Sequence, residues 1–258
     1  MGSTARKIYV ASERDSLSNY TFTYDANAQV LKADITQPVI PRPPAQPPLV
    51  TLAPNGAYQN VPAGPFQLGS IVSYTSGYSQ VSGYENSDGN YVTLATAVVE
   101  GLNILEILTA DRVVAQITTV MTPGNPVQSV SFAGSIIDNL QISNQSIAVS
   151  VNPNALGPQP ASGASYFDAP NVPTGMSVAG NELWGSILMA TSIQQIIAPS
   201  FGTVSLGKLK VTRKASPDQT GYVYDYAVEM IRVDLSGGGA EGCVVVAASD
   251  PNGTGSKG

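Results

Sequence analysis

Carboxylates are the side chains in this sequence best suited to do chemistry. Three groupings stand out: Glu85 with Asp88, Glu100 with Asp111, and Asp138. Two carboxylates about 5–9 Å apart suffice for glycoside hydrolysis, so these acids define one candidate chemistry. Histidine, the usual general base near neutral pH, is absent altogether. Its absence also removes the commonest nitrogen ligand for zinc, copper and iron. The single cysteine, Cys243, can form neither an internal disulfide nor a thiolate cluster. It is either an incidental residue after the last strand or a point of pairing between chains. No catalytic residue set is assigned, and no cofactor is expected.

Two weaker patterns concern binding. Glu85, Asp88 and Asn90 resemble part of a calcium loop, but Tyr84 stands where an acid is wanted and no bidentate glutamate follows. Asp88-Gly89 between two strand-like runs reads more simply as a hairpin turn. Tyr74, Tyr78, Tyr84 and Tyr91 fall in one neighbourhood. They fit a sugar-stacking face, or equally tyrosines half-buried in a sheet.

The elements that must position these residues are strands. The longest apolar, β-branched run is Tyr91 to Val120, and Val130 to Val151 echoes it. Val98-Val99-Glu100-Gly101-Leu102-Asn103-Ile104 matches Ile136-Ile137-Asp138-Asn139-Leu140-Gln141-Ile142, 38 positions on (98 to 136). Glu100 and Asp138 thus hold one place in a repeated pattern, which favours a structural cause over a catalytic one. The echo predicts the core: Val98, Leu102, Ile104, Val113, Ile117, Ile137, Leu140, Ile142, Ile147 and Val149.

Elsewhere the pattern predicts strands at Lys7–Ala11 and Tyr20–Ile35, the latter broken by a turn at Asp25-Ala26-Asn27. Pro38 to Pro65 is proline-rich and extended, a linker or a strap over a sheet edge. Thr122 to Pro126 is a turn and Asn152 to Gly175 a loop. Ser192 to Ala198 offers one helical turn before Pro199. Val204–Val211, Gly221–Val228 and Glu229–Leu235 are strands. The organisation is N-terminal strands (1–37), extended segment (38–65), β domain (66–235) and flexible glycine-rich tail (236–258). The fold class is all-β, an antiparallel sandwich with at most one short helix; a β-solenoid-like stack is the alternative.

Of 258 residues only 12% are charged, and net charge is −6. Nucleic-acid binding needs clustered cations. Only Lys208 to Lys214 is locally basic, and its charges are expected to alternate between strand faces. No apolar run is long enough to span a bilayer. Between Gln67 and Gly207 there is no lysine, and Arg112 is the one arginine. Sheet edges there lack cationic protection, which predicts self-association, with the segment before Pro65 strapping one copy to the next. No signal peptide is visible, which fits either a cytoplasmic protein or an exported one whose signal was removed; the second is preferred.

Thr109-Ala110-Asp111-Arg112-Val113-Val114-Ala115 and the stretch Leu140 to Asn154 resemble segments of the choice-of-anchor P proteins, exported from bacteria. The likeness spans Tyr91 to Leu235 and implies a secreted or cell-surface location, with no activity to transfer. Together these readings predict a non-enzymatic extracellular structural protein that self-assembles through sheet edges and meets surface polysaccharide. The alternatives are a carbohydrate-binding or carbohydrate-active module, and a viral or phage shell protein.

Overall fold

The computed structural model describes residues 20–38, 44–123, 128–158, 160, 164–168, 170–189, 195–198, 201–215, 222–237 and 239–257. The expected strand at Lys7–Ala11 and part of the turn at Thr122–Pro126 lie outside them. The described chain is all-β. It opens with β1 (Tyr20–Gln37), β2 (Leu49–Thr51), β3 (Ala57–Ala63), β4 (Phe66–Leu68) and β5 (Val72–Tyr74). Three long strands follow: β6 (Ser76–Glu85), β7 (Tyr91–Ile104) and β8 (Leu108–Met121). Short ones come next: β9 (Ser129–Ser131), β10 (Ile136–Asp138), β11 (Gln141–Ile142), β12 (Gln145–Ser146), β13 (Ser177–Ala179), β14 (Glu182–Ser186) and β15 (Gln195–Ala198). The chain closes with β16 (Gly202–Ala215), β17 (Tyr222–Gly237) and β18 (Ala240–Lys257).

Two antiparallel sheets pack face to face. Sheet A runs β13-β14-β16-β17-β18-β1-β2, with β15 also beside β16. Sheet B is built on β3-β6-β7-β8. Strand β5 shares an edge of β7 with β6, and β9, β10 and β11 line the far edge of β8 in turn. Contacts between the layers are close. Phe22 of sheet A stacks on Tyr91 of sheet B with ring centres 4.6 Å apart. Ser249 donates to the carbonyl of Ala115 at 3.1 Å. At Gly83 a Cβ would sit 2.5 Å from the Tyr24 ring, so glycine there lets the sheets meet. The two-layer sandwich therefore stands, and the solenoid alternative does not.

The echo is a repeated local structure. Gly101 and Asn139 both adopt positive φ directly after the matched acids; so do Leu105-Glu106 and Ser143-Asn144, again 38 positions apart. Each copy is a strand, a left-handed kink, a buried Leu and Ile, then a tight turn. Leu102, Ile104, Leu140 and Ile142 are buried in the common core, as are Val113, Ile117 and Ile137. Val98 is buried too, but on the outer face of sheet B, outside that core. Ile147 and Val149, expected inside, are only half-buried, because the chain has left the sheet by then.

Several expectations are corrected. Asp25-Ala26-Asn27 is no turn: β1 runs straight through it, paired with Asn252, Pro251 and Asp250 of β18. A long partner supplies the ladder and overrides local turn preference. Gln195–Ala198 is a strand on β16 rather than the end of a helix. Most of the supposed flexible tail is β18, paired along its length by β1 and, over residues 240–249, also by β17. Its glycines serve close approach: a Cβ on Gly253 would lie 2.3 Å from the Phe22 ring. Finally, the N-terminal strand is part of sheet A and no separate unit.

The proline-rich segment acts within its own chain. The Gln46 side chain imitates a strand, accepting from the Ala33 amide at 3.1 Å and donating to the Ala33 carbonyl at 3.0 Å. Then β2 pairs with residues 27–29, Leu52 donates to Ala26, and Tyr24 donates to the Pro54 carbonyl. The outer edge of β1 is thereby covered before the chain crosses to sheet B as β3.

Candidate functional site

Glu100, Asp111 and Asp138 gather at one exposed rim of sheet B, and none of the candidate acids lines the three clefts described below. Glu100 on β7 and Asp138 on β10 stand directly opposite Arg112 on β8, one on each side. All three are exposed at the rim of sheet B. Ser76 donates to Glu100 Oε2 at 2.8 Å, and Asn139 donates to Asp111 Oδ2 at 3.2 Å. The common place of the two acids in the echo is thus a common place in the sheet, each in register with Arg112.

Glu85, Asp88 and Asn90 bracket a hairpin turn between β6 and β7. The side-chain oxygen of Asn86 organises it, accepting from the amides of Asp88 at 3.0 Å and Asn90 at 2.9 Å. Gly89 supplies the positive φ. Among the described residues no three His, Cys, Asp or Glu side chains group as a metal site.

The four tyrosines divide between two surfaces. Tyr74 is buried and stacks on Phe66, with ring centres 5.6 Å apart. Tyr91 packs inward between Phe22 and Tyr24. Burial raises both phenol pKa values. Tyr78 and Tyr84 lie on β6 at the parity opposite to Ser79 and Val81, which are buried, and so face outward. Sequence reasoning missed a third outward ring. Tyr58 on β3 pairs directly with Ser82, which shares the face of Tyr78 and Tyr84. It was hidden in the proline-rich stretch; its signal was the alternation Tyr58-Asn60-Pro62 on a strand.

These rings belong to a face without charge. Reading across the strands, one row is Tyr58, Ser82, Leu94, Thr118 and Ser131. The next is Asn60, Gln80, Thr96 and Gln116, and the next Pro62, Tyr78, Val98, Val114 and Ile136. Charge returns only in the following row, at Glu100, Arg112 and Asp138.

The outer face of sheet A is the opposite. Lys32 pairs with Asp34 at 3.1 Å, Lys210 with Glu182 at 2.6 Å, and Lys214 with Asp225. Arg232 grips Asp234 at 3.0 Å and lies 3.6 Å from Glu229. Lys208 and Lys210 both lie over the Trp184 ring, 4.6 and 4.9 Å from its centre. Here an expectation fails: Lys208, Lys210 and Lys214 do not alternate. Their spacing is even, so they share a face, where acids and an indole engage them.

Two shallow grooves cross this charged face. One, about 280 Å³, is lined by Lys32, Asp34, Glu229, Arg232 and Cys243 among others. Burial pushes the Cys243 thiol up to about 11, away from the reactive thiolate. The second, about 210 Å³, holds Asp250 beside Asn27 and Leu49. Burial, with Asp25 nearby, raises the Asp250 carboxyl to about 7, against hydrogen bonds from Asn27. A third cleft, about 520 Å³, lies under the loop from Asn152 to Thr174, lined by asparagines and prolines. No helix among the described residues is long and apolar enough to cross a membrane.

Comparison with curated proteins finds no match, and none of the solved structures matches either. A family model does match, over residues 22–187, a span that holds every strand of sheet B together with most of β1 and with β2, β13 and β14. The chain belongs to this family, described as a domain of unknown function, DUF8256.

Proposed function

We propose that the chain is a non-enzymatic binding and structural module of the cell exterior, working through the outer face of sheet B. One observation carries this reading: the two outer faces differ in kind. Sheet A spends its cations on ion pairs within the chain, whereas the β3–β6 side of sheet B's outer face offers aromatic rings, amides and hydroxyls with no charge among them. Surfaces of this composition suit recognition rather than solvation. Low overall charge and the resemblance of residues 91–235 to exported choice-of-anchor P proteins support the exterior location.

Self-assembly through sheet edges has less support. The edge of β1 is covered by residues 46–54 of the same chain. The edge strand β3 carries Pro62, and proline is a common device for blunting an edge.

The test is retention on the envelope of cells that produce the protein, read by co-sedimentation. Ser82→Lys places a charge on the face of sheet B; Thr203→Lys places one on sheet A. Ser82→Lys is expected to weaken retention about tenfold or more, equivalent to about 1.4 kcal/mol, with Thr203→Lys near the parent. Equal retention by both variants refutes the reading.

A further inference from the structure

We infer that Tyr58, Tyr78 and Tyr84 form a platform for a linear, neutral polysaccharide; this rests on sheet B's outer face being the working surface. The geometry comes from the register. Tyr78 and Tyr84 are six residues apart on β6, which sets them about 20 Å apart at roughly 3.3 Å per residue. Tyr58 lies on the next strand, across from Ser82 and so between them. A track of this length spans several sugar rings, which argues for a chain rather than a monosaccharide. Tyr58 is 62% exposed and Tyr84 54%, high values for large aromatic side chains on sheet strands.

What lies between the rings fits the same ligand. Asn60 and Gln80 are direct cross-strand partners, and Ser82 follows on β6. An amide both donates and accepts, as a sugar hydroxyl does. The C–H face of a sugar is apolar and stacks on an aromatic ring, while the Tyr58 hydroxyl, which accepts from Asn60 Nδ2 at 3.4 Å, can still donate. Charge decides against other partners. A nucleic acid or an acidic lipid surface requires lysine or arginine, and this face has none between the Glu100–Arg112–Asp138 row and the Asn86 turn. A net charge of −6 also repels polyanions. The platform is preformed, since β6 is paired on both sides, by β3 and β7. Little ordering is then needed on binding.

The experiment is depletion of the full chain from solution by cellulose, chitin, mixed-linkage β-glucan and cross-linked dextran, with alginate and heparin beads as polyanions. Wild type is expected to bind at least one neutral polymer and to hold it in about 1 M salt, where charge attraction is screened within about 3 Å. Tyr58→Ala with Tyr84→Ala should lower binding about tenfold or more, at unchanged melting temperature because both rings are exposed. Tyr58→Phe with Tyr84→Phe should retain most of it. Binding to no neutral polymer overturns the inference, as does binding to polyanions alone or binding indifferent to the alanine pair. If no neutral polymer binds yet envelope retention is still lost in Ser82→Lys, the polysaccharide is wrong and the working face stands. If Ser82→Lys has no effect on the envelope, the working face itself is wrong.

Discussion

Glu100 and Asp138 are related through a third residue: each is the cross-strand neighbour of Arg112, from opposite sides. Arg112 thus sits in register with both copies of the echoed segment. Arg112→Glu would set three acids in a row. Like charges directly opposite are destabilising, so a loss of about 1–2 kcal/mol is expected from two such pairs. Urea unfolding measures it, and added salt should shrink the difference.

Truncation of the echo's two leucines should hurt equally. Leu102 and Leu140 are both almost wholly enclosed. Either one changed to Ala is expected to lose about 2–5 kcal/mol. A loss under about 1 kcal/mol at both sites would show that the echo is not the core.

Tyr226 offers a change in the other direction. Its ring is fully buried, and its hydroxyl has no hydrogen-bond partner among the described residues. Burial raises its pKa well above the ordinary tyrosine value. An unpaired buried hydroxyl costs about 1–3 kcal/mol, so Tyr226→Phe should stabilise by about 1 kcal/mol. A lowered melting temperature would mean that the hydroxyl is satisfied after all.

Asp250 predicts a pH dependence with a definite sign. Its carboxyl titrates near 7 when folded and near 3.8 when unfolded. Between those values the folded state binds more protons, so stability falls as pH rises and is lowest above pH 7. The scale is a few kcal/mol at most. Asp250→Asn should flatten the slope and stabilise at pH 8 more than at pH 5, read from urea midpoints at the two pH values.

Much of this fold was legible because strand periodicity and apolar runs reflect burial directly. The long strands β7 and β8 and the Asp88-Gly89 turn follow from them. What escaped depended on partners distant in sequence. Asp25-Ala26-Asn27 has turn composition, and only β18 makes it strand. Gly242 and Gly253 look like flexible chain, yet each leaves room for a neighbour: a Cβ on Gly242 would sit 2.2 Å from the Asp34 carbonyl oxygen. Of the candidate site, Tyr78 and Tyr84 were readable and Tyr58 was not, because prolines nearby masked a strand. The lysines from Lys208 to Lys214 were expected to alternate between faces, although their even spacing sets them on one.

The pairing of β1 with β18 bears on when the molecule can fold. Thr36 donates to the carbonyl of Glu241, a partner 205 residues away. During synthesis at about 5–20 residues per second, β1 waits on the order of 10–40 s for the strand that completes sheet A. Contacts this distant also make closure intrinsically slow. Until β18 has been made, the side of β1 that it covers has no partner in sheet A, whereas β6, β7 and β8 can already pair with one another.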